Sequence, residues 1–174
     1  MNLVLIGYRG TGKSTIGALL SEQLGMPYIS TDEEIVRRAG MSIPEIVEKN
    51  GWPFFRDLES SVLKDLSGAG STIIDTGGGI IEREENVACL QHNSSVFWLT
   101  AQVDTIVERI QSGTQRPALT AGKTFTEEVA EVLERRNPLY QRAAHHRIAT
   151  DNIPPRQVAE SMIEIWQKHL PASA

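Results

Sequence analysis

The sequence is short of cysteine, of long apolar runs and of positive charge, and each shortage removes a class of function. A single cysteine, Cys89, in 174 residues excludes an internal disulfide and fits a reducing compartment. Its helix-like surroundings mark it as a small buried residue rather than a reactive thiol. The first apolar run, Leu3-Val4-Leu5-Ile6, is far below membrane-spanning length and has no basic leader. Neither export nor a membrane partner is expected, and the cytoplasm is the expected address. Lys and Arg number 17 against 22 Asp and Glu, a net charge of −5, with no basic tail to offset it. That balance argues against a nucleic-acid partner.

What remains is an ordinary globular composition, 40% hydrophobic and 22% charged, of a length that suits one domain over residues 1–174. The most informative stretch is Gly7-Tyr8-Arg9-Gly10-Thr11-Gly12-Lys13-Ser14-Thr15. It follows a strand-like run and opens a segment of helical period, the setting a G-x-x-x-x-G-K-[ST] phosphate loop requires. Its glycines allow backbone angles that let successive N–H groups face one anion. Gly10, Thr11, Gly12, Lys13, Ser14 and Thr15 are the expected ATP-binding residues. Lys13 is expected on the β- and γ-phosphates and the Ser14 hydroxyl on Mg²⁺.

Further along, short β-rich runs alternate with amphipathic helical stretches. Strands are expected at residues 2–6, 26–29, 72–75, 96–99 and 147–150. Helices are expected after the phosphate loop, from Asp32 as N-cap, from the Ser42-Ile43-Pro44-Glu45 capping box, from Trp52, after Leu99, from the Thr124-x-x-Glu127 capping box, and after Pro155. This order predicts an α/β fold, a three-layer, doubly wound parallel sheet. Residues 112–124 lack apolar periodicity and are rich in turn formers, as functional loops often are.

The phosphate loop does not choose among a motor, a switch and a metabolic kinase. Other residues do: Asp32 at a strand end, Phe55-Arg56-x-x-Glu59, Thr76-Gly77-Gly78-Gly79, Arg116-Pro117, and Arg136-x-Pro138-Leu139-Tyr140. Arginines outside the phosphate loop suit a small anionic acceptor, because a planar guanidinium grips a carboxylate with two parallel hydrogen bonds. In this order and spacing the motifs resemble the shikimate kinase family over nearly the whole chain. The resemblance implies ATP-dependent phosphorylation of the shikimate 3-hydroxyl, on the way to chorismate and the aromatic amino acids. It also implies a P-loop kinase fold of the nucleoside-monophosphate-kinase type, with a lid loop at about 112–124 and a small substrate-binding helical subdomain at about 32–60.

Carried over residue by residue, it makes Lys13, Asp32 and Arg116 catalytic. Arg56, Arg136, Gly77, Gly78 and Gly79 join Asp32 in binding shikimate, with Glu59 orienting Arg56. Arg116 also neutralises charge on the phosphates, and Arg109 and Pro155 flank adenine. A monomer acting on ATP and shikimate is expected. Two alternatives compete: a kinase of another polyol acid such as gluconate, and a catalytically silent nucleotide-binding switch.

The chain departs from the family in places. Ser30 stands where the first acid of an Asp-x-Asp pair is usual, and serine holds a hard dication less well. Asp75, two residues before Gly77, is the expected substitute, so Ser14 and Asp75 are the expected Mg²⁺ contacts. Ala118 follows Arg-Pro where leucine is common, which implies a looser lid. His145 and His146, before the last strand, are expected to be exposed and not to bind metal.

Overall fold

A computed structural model describes residues 1–113 and 124–170 of the chain. Five strands, β1 (Asn2–Ile6), β2 (Tyr28–Ser30), β3 (Ile73–Asp75), β4 (Ser94–Thr100) and β5 (His146–Ala149), form one parallel sheet in the order β2-β3-β1-β4-β5. The helices are α1 (Lys13–Leu24), α2 (Thr31–Ala39), α3 (Ile43–Ser67), α4 (Glu84–Gln91), α5 (Val103–Gly113), α6 (Phe125–Ala143) and α7 (Pro155–Lys168). A short 3-10 turn, Ile80–Glu82, follows β3.

The run Leu3-Val4-Leu5-Ile6 is apolar throughout because both faces of β1 are covered. Leu3 and Leu5 point to a core shared with Ile16, Leu20, Phe97 and Met162, under α1 and α7. Val4 and Ile6 point the other way, against Leu63, Leu90, Trp98 and Tyr140 from α3, α4, β4 and α6. Strands alternate their side chains, so a strand buried on both faces loses its polar alternation. These two cores are the outer halves of the three expected layers.

The expected elements are present, and four local expectations are corrected. Asp32 does not cap α2: Ser30 does, its hydroxyl accepting from the Glu33 amide, and Asp32 lies inside the first turn. The two helices expected from Ser42 and Trp52 run on as α3, interrupted only at Gly51 (φ 82°, ψ 168°). Glycine alone adopts that left-handed φ cheaply, and Pro53 forbids the hydrogen bond that would have smoothed the break. Cys89 on α4 is half-buried, not fully buried, with its thiol toward the Leu63 carbonyl. His145 is exposed and His146 half-buried, packed on the Phe97 and His169 rings; among the described residues no cluster of His, Cys, Asp or Glu is arranged for a metal ion.

Parallel strands deliver their C-terminal ends to one edge. Ser30, Asp75 and Leu5 are register partners there, so the turns after β1, β2 and β3 start side by side. The neighbours of β1 were laid down in opposite directions from it, β3 on one side and β4 on the other, which opens the crevice where such sheets take ligands.

Candidate active site

The loop after β1 wraps an anion-sized hollow. Gly7, Gly10 and Gly12 all have positive φ. A side chain at Gly7 would also meet the Leu99 carbonyl oxygen at 2.5 Å, so the residue answers both to torsion and to space. The Lys13 ammonium is held inside the loop, donating to the carbonyls of Gly7 (3.0 Å) and Tyr8 (3.2 Å). Burial pulls its pKa down, while the charges of Asp75 and Asp32 oppose that pull. Ser14 and Thr15 are exposed in the first turn of α1, whose free amides and dipole favour an anion.

Arg109 of α5 ties this loop to the far edge of the sheet. Its guanidinium donates to the Gly10 carbonyl (3.2 Å) and to the hydroxyl (3.0 Å) and carbonyl (2.8 Å) of Thr150, whose hydroxyl donates in turn to the Thr11 carbonyl (3.0 Å). Pro155 opens α7 beside it. Arg109 and Pro155 therefore line one end of a cleft of about 630 Å³, with Lys13, Ser14, Asp32, Asp75, Gly77 and Gly78 along the rest. That volume suits a nucleotide-sized ligand.

The turn after β3 forms the other side. Asp75 is buried and accepts from the Tyr28 hydroxyl at 2.8 Å. Asp32 is half-buried; its Oδ1 has no hydrogen-bond partner among the described residues, and its charge is felt by both Lys13 and Arg56. Burial raises the pKa of Asp32, Asp75 and Glu59 above the ordinary carboxylate range, against the lowering pull of Lys13 on both aspartates and of Arg56 on Asp32 and Glu59. A Cβ at Gly77 would stand 2.7 Å from both Asp32 Oδ1 and Glu59 Oε1, so only glycine lets the chain pass between those carboxylates.

Beyond Gly77 the two predicted arginines converge. Arg56 of α3 pairs with the fully buried Glu59 one turn on, and lies over the rings of Trp52 and Phe55. Arg136 of α6 lies beside Gly78, whose carbonyl accepts from the buried Tyr140 hydroxyl. Glu82, at the end of the 3-10 turn, reaches both: 2.9 Å to Arg136 and 3.5 Å to Arg56.

The structure thus brings together Lys13, Ser14, Asp32, Asp75, Gly77, Gly78, Arg109 and Pro155 in one cleft, with Arg56, Gly79 and Arg136 adjoining it. Arg116, Ala118 and the loop at 114–123 lie outside the described residues. Sequence reasoning missed Glu82, Thr150 and the Tyr28–Asp75 pair. Glu82 carried a signal in its place just past the three glycines. Thr150 and Tyr28 carried none, because their partners are set by strand register.

A parallel α/β sheet with a phosphate loop after its first strand, facing a small pocket of buried carboxylates and paired arginines, defines a P-loop kinase acting on a small molecule. Comparison with known proteins gives the family. A family model described as shikimate kinase matches residues 9–167. Shikimate kinase 2 of Enterobacter sp. (strain 638) is 43% identical over 160 residues, covering 90% of this chain and 91% of that protein. Shikimate kinase of Thermodesulfovibrio yellowstonii is 37% identical, covering 96% and 95%. Among solved structures, shikimate kinase from Acinetobacter baumannii in complex with shikimate superposes with a TM-score of 0.89 at 33% identity, covering 98% of this chain and 95% of that one. The chain belongs to the shikimate kinase family.

Proposed function

We infer that this chain transfers the γ-phosphoryl group of ATP to the 3-hydroxyl of shikimate, giving shikimate 3-phosphate and ADP for aromatic amino-acid biosynthesis. Beyond family membership, the observation that carries this reading is the pair Arg56 and Arg136. Both are largely shielded from water, Arg56 within reach of the Asp32 charge and Arg136 beside Gly78, and Glu82 touches both. Two guanidinium groups in that position suit an acceptor with one carboxylate and a hydroxyl aimed back at the donor.

The roles follow from place. The loop amides and Lys13 take the triphosphate. The Lys13 ammonium, now donating to the Gly7 and Tyr8 carbonyls, exchanges those neutral acceptors for charged phosphate oxygens, a stronger pairing. Arg56 and Arg136 hold the acceptor carboxylate, with Gly78 and Gly79 keeping the backbone low beneath it. Asp32, which lines the cleft, accepts a hydrogen bond from the attacking hydroxyl. As the new O–P bond forms and the bond from the γ-phosphorus to the leaving ADP oxygen breaks, the hydroxyl proton passes to Asp32 or to water. A loose phosphoryl-transfer transition state asks little of that base, so alignment supplies most of the effect.

Mg²⁺ fits the residues present. Ser14, Asp75 and Asp32 line the cleft, and both carboxylates are held above their ordinary pKa by burial, a penalty that a nearby dication relieves. Two carboxylates without a closed protein cage is the usual setting for Mg²⁺ on a nucleotide. When bound it neutralises charge on the phosphates. Ser14 and Asp75 are the residues we assign to it.

Among the described residues no helix is long and apolar enough to cross a membrane. We assign the chain to the cytoplasm, and as a monomer, a state that sedimentation at micromolar concentration tests. The activity itself is tested by ATP consumption with shikimate, gluconate and nucleoside monophosphates offered singly. Turnover with shikimate alone is expected. Turnover with gluconate, or ATP binding without turnover on any of them, would overturn the reading.

A further inference from the structure

The two arginines assigned to the acceptor are already holding a carboxylate, and it belongs to the protein. Glu82 Oε1 lies 2.9 Å from both Nε and Nη2 of Arg136, accepting from the edge of the guanidinium that grips carboxylates. Its Oε2 lies 3.5 Å from Nη2 of Arg56. The exposed Arg135 adds a third contact, 3.5 Å from Oε1. Glu82 therefore spans the two guanidinium groups as the acid group of an acceptor would.

Glu59 and Glu82 both pair with Arg56, but they are built differently. Glu59 takes the Nη1 side and is buried on α3 one turn from its partner. Glu82 takes the Nη2 side from the end of a three-residue turn, with its side chain 30% exposed. The first contact can persist while an acceptor binds. The second occupies the same donors an acceptor needs, and it can swing into water at little cost.

We propose that Glu82 is an internal stand-in for the acceptor's carboxylate, a residue that sets acceptor affinity by having to be displaced. This rests on the reading that Arg56 and Arg136 bind the carboxylate. Occupied donors favour displacement over coexistence. Glu82 already occupies Nε and Nη2 of Arg136 and faces Nη2 of Arg56, so a further carboxylate entering beside it would have to share donors already taken. With Glu82 swung out, the arriving carboxylate inherits its contacts. Meanwhile the stand-in keeps both guanidinium groups extended toward each other, which lowers the ordering cost of binding.

The test is Glu82→Gln, which keeps the shape and removes the charge, assayed with shikimate and with shikimate amide, which offers no carboxylate. The KM for shikimate is expected to fall about three- to tenfold, with no matching change in the KM for ATP and no fall in the KM for the amide. An unchanged or raised shikimate KM overturns the proposal: the first makes Glu82 a solvated surface acid, the second a support for the arginines. An equal fall for the amide also overturns it, since relief would then not depend on the acceptor's charge. Arg136→Lys is run alongside. If it raises the shikimate KM while Glu82→Gln does nothing, the stand-in idea fails alone. If Arg136→Lys leaves that KM unchanged, the carboxylate assignment beneath it fails.

Discussion

Gly79→Ala should separate the two halves of the site. The backbone there has φ −99° and ψ 3°, open to any residue, so no torsional strain is introduced. Space decides the outcome. An added Cβ would stand 2.2 Å from Arg56 Nη2 and 2.5 Å from its Cζ. Restoring an ordinary contact of 3.4 Å means moving the guanidinium by about 1.2 Å. Arg56 is a flexible side chain, so it will move while the backbone stays. It then loses its pairing with Glu59, whose buried carboxylate is left short of a partner at a cost of about 1–3 kcal/mol. A misplacement of about 1 Å in a positioning group costs on the order of 100-fold in rate. The expected result is a 30- to 100-fold fall in kcat/KM for shikimate, roughly, with the KM for ATP within about twofold of the parent. Steady-state kinetics with each substrate varied in turn measures both. A shikimate kcat/KM within about threefold of the parent would refute the reasoning, because it would mean that Arg56 does not need its present place.

Four further outcomes are expected. Asp75→Ala should raise the Mg²⁺ concentration needed for half-maximal activity by about tenfold, and Ser30→Ala should leave it nearly unchanged; equal small effects in a Mg²⁺ titration would remove Asp75 from the metal. Activity should fall on the acid side at a pH above the ordinary carboxylate range, because the raised pKa of Asp32 brings protonation in earlier, and Asp32→Asn should abolish that limb of the kcat/KM profile. The sign for stability is opposite: carboxyls whose folded pKa is raised contribute most below their unfolded value and lose that contribution as pH rises through the folded one. Unfolding midpoints should therefore drop between the two values while activity climbs. Tyr140→Phe keeps the stack on Trp98 but leaves the Gly78 carbonyl without its donor, at about 1–2 kcal/mol; circular dichroism should show a fall in Tm of about 2–8 °C, and an unchanged Tm would mean the bond contributes nothing.

Much of this molecule was legible because its signals are local. A doubly buried strand announces itself as an unbroken apolar run, as Leu3 to Ile6 does, and a capping box fixes a helix start within a turn, as Ser42 and Thr124 do. The phosphate loop and the three glycines are short enough to be read whole. The misplaced cap at Asp32 has an equally local cause: Ser30, Thr31 and Asp32 are all good capping residues, and the length of β2 chose among them. What stayed hidden depends on residues far apart in the chain. Tyr28 meets Asp75 because β2 pairs with β3 in one register, and Arg109 meets Thr150 because α5 and β5 flank the same loop. Glu82 was readable as an acid after a glycine turn, yet its position between Arg56 and Arg136 needs α3 and α6 to be placed first.

Ser30 shows how a site can lose an acid without losing its fold. Its hydroxyl caps α2, a task serine and aspartate perform about equally, so the exchange leaves the helix intact. What changes is charge. Ser30 and Asp75 are register partners, so an acid at residue 30 would add a half-buried anion beside Asp75, which burial already keeps hard to ionise. Among the described residues Lys13 feels two opposing charges, Asp75 first and Asp32 second, against the burial that pulls its proton away. With serine at residue 30, those two carboxylates act on the Lys13 charge, and they are the ones we propose for the metal contact and the acceptor hydroxyl. Asp75 is fixed to the donor side by Tyr28, and Asp32 faces Arg56 on the acceptor side. The division follows from the sheet: Asp75 ends a strand whose neighbour carries the phosphate loop, and Asp32 lies in the helix turn that leads away from it.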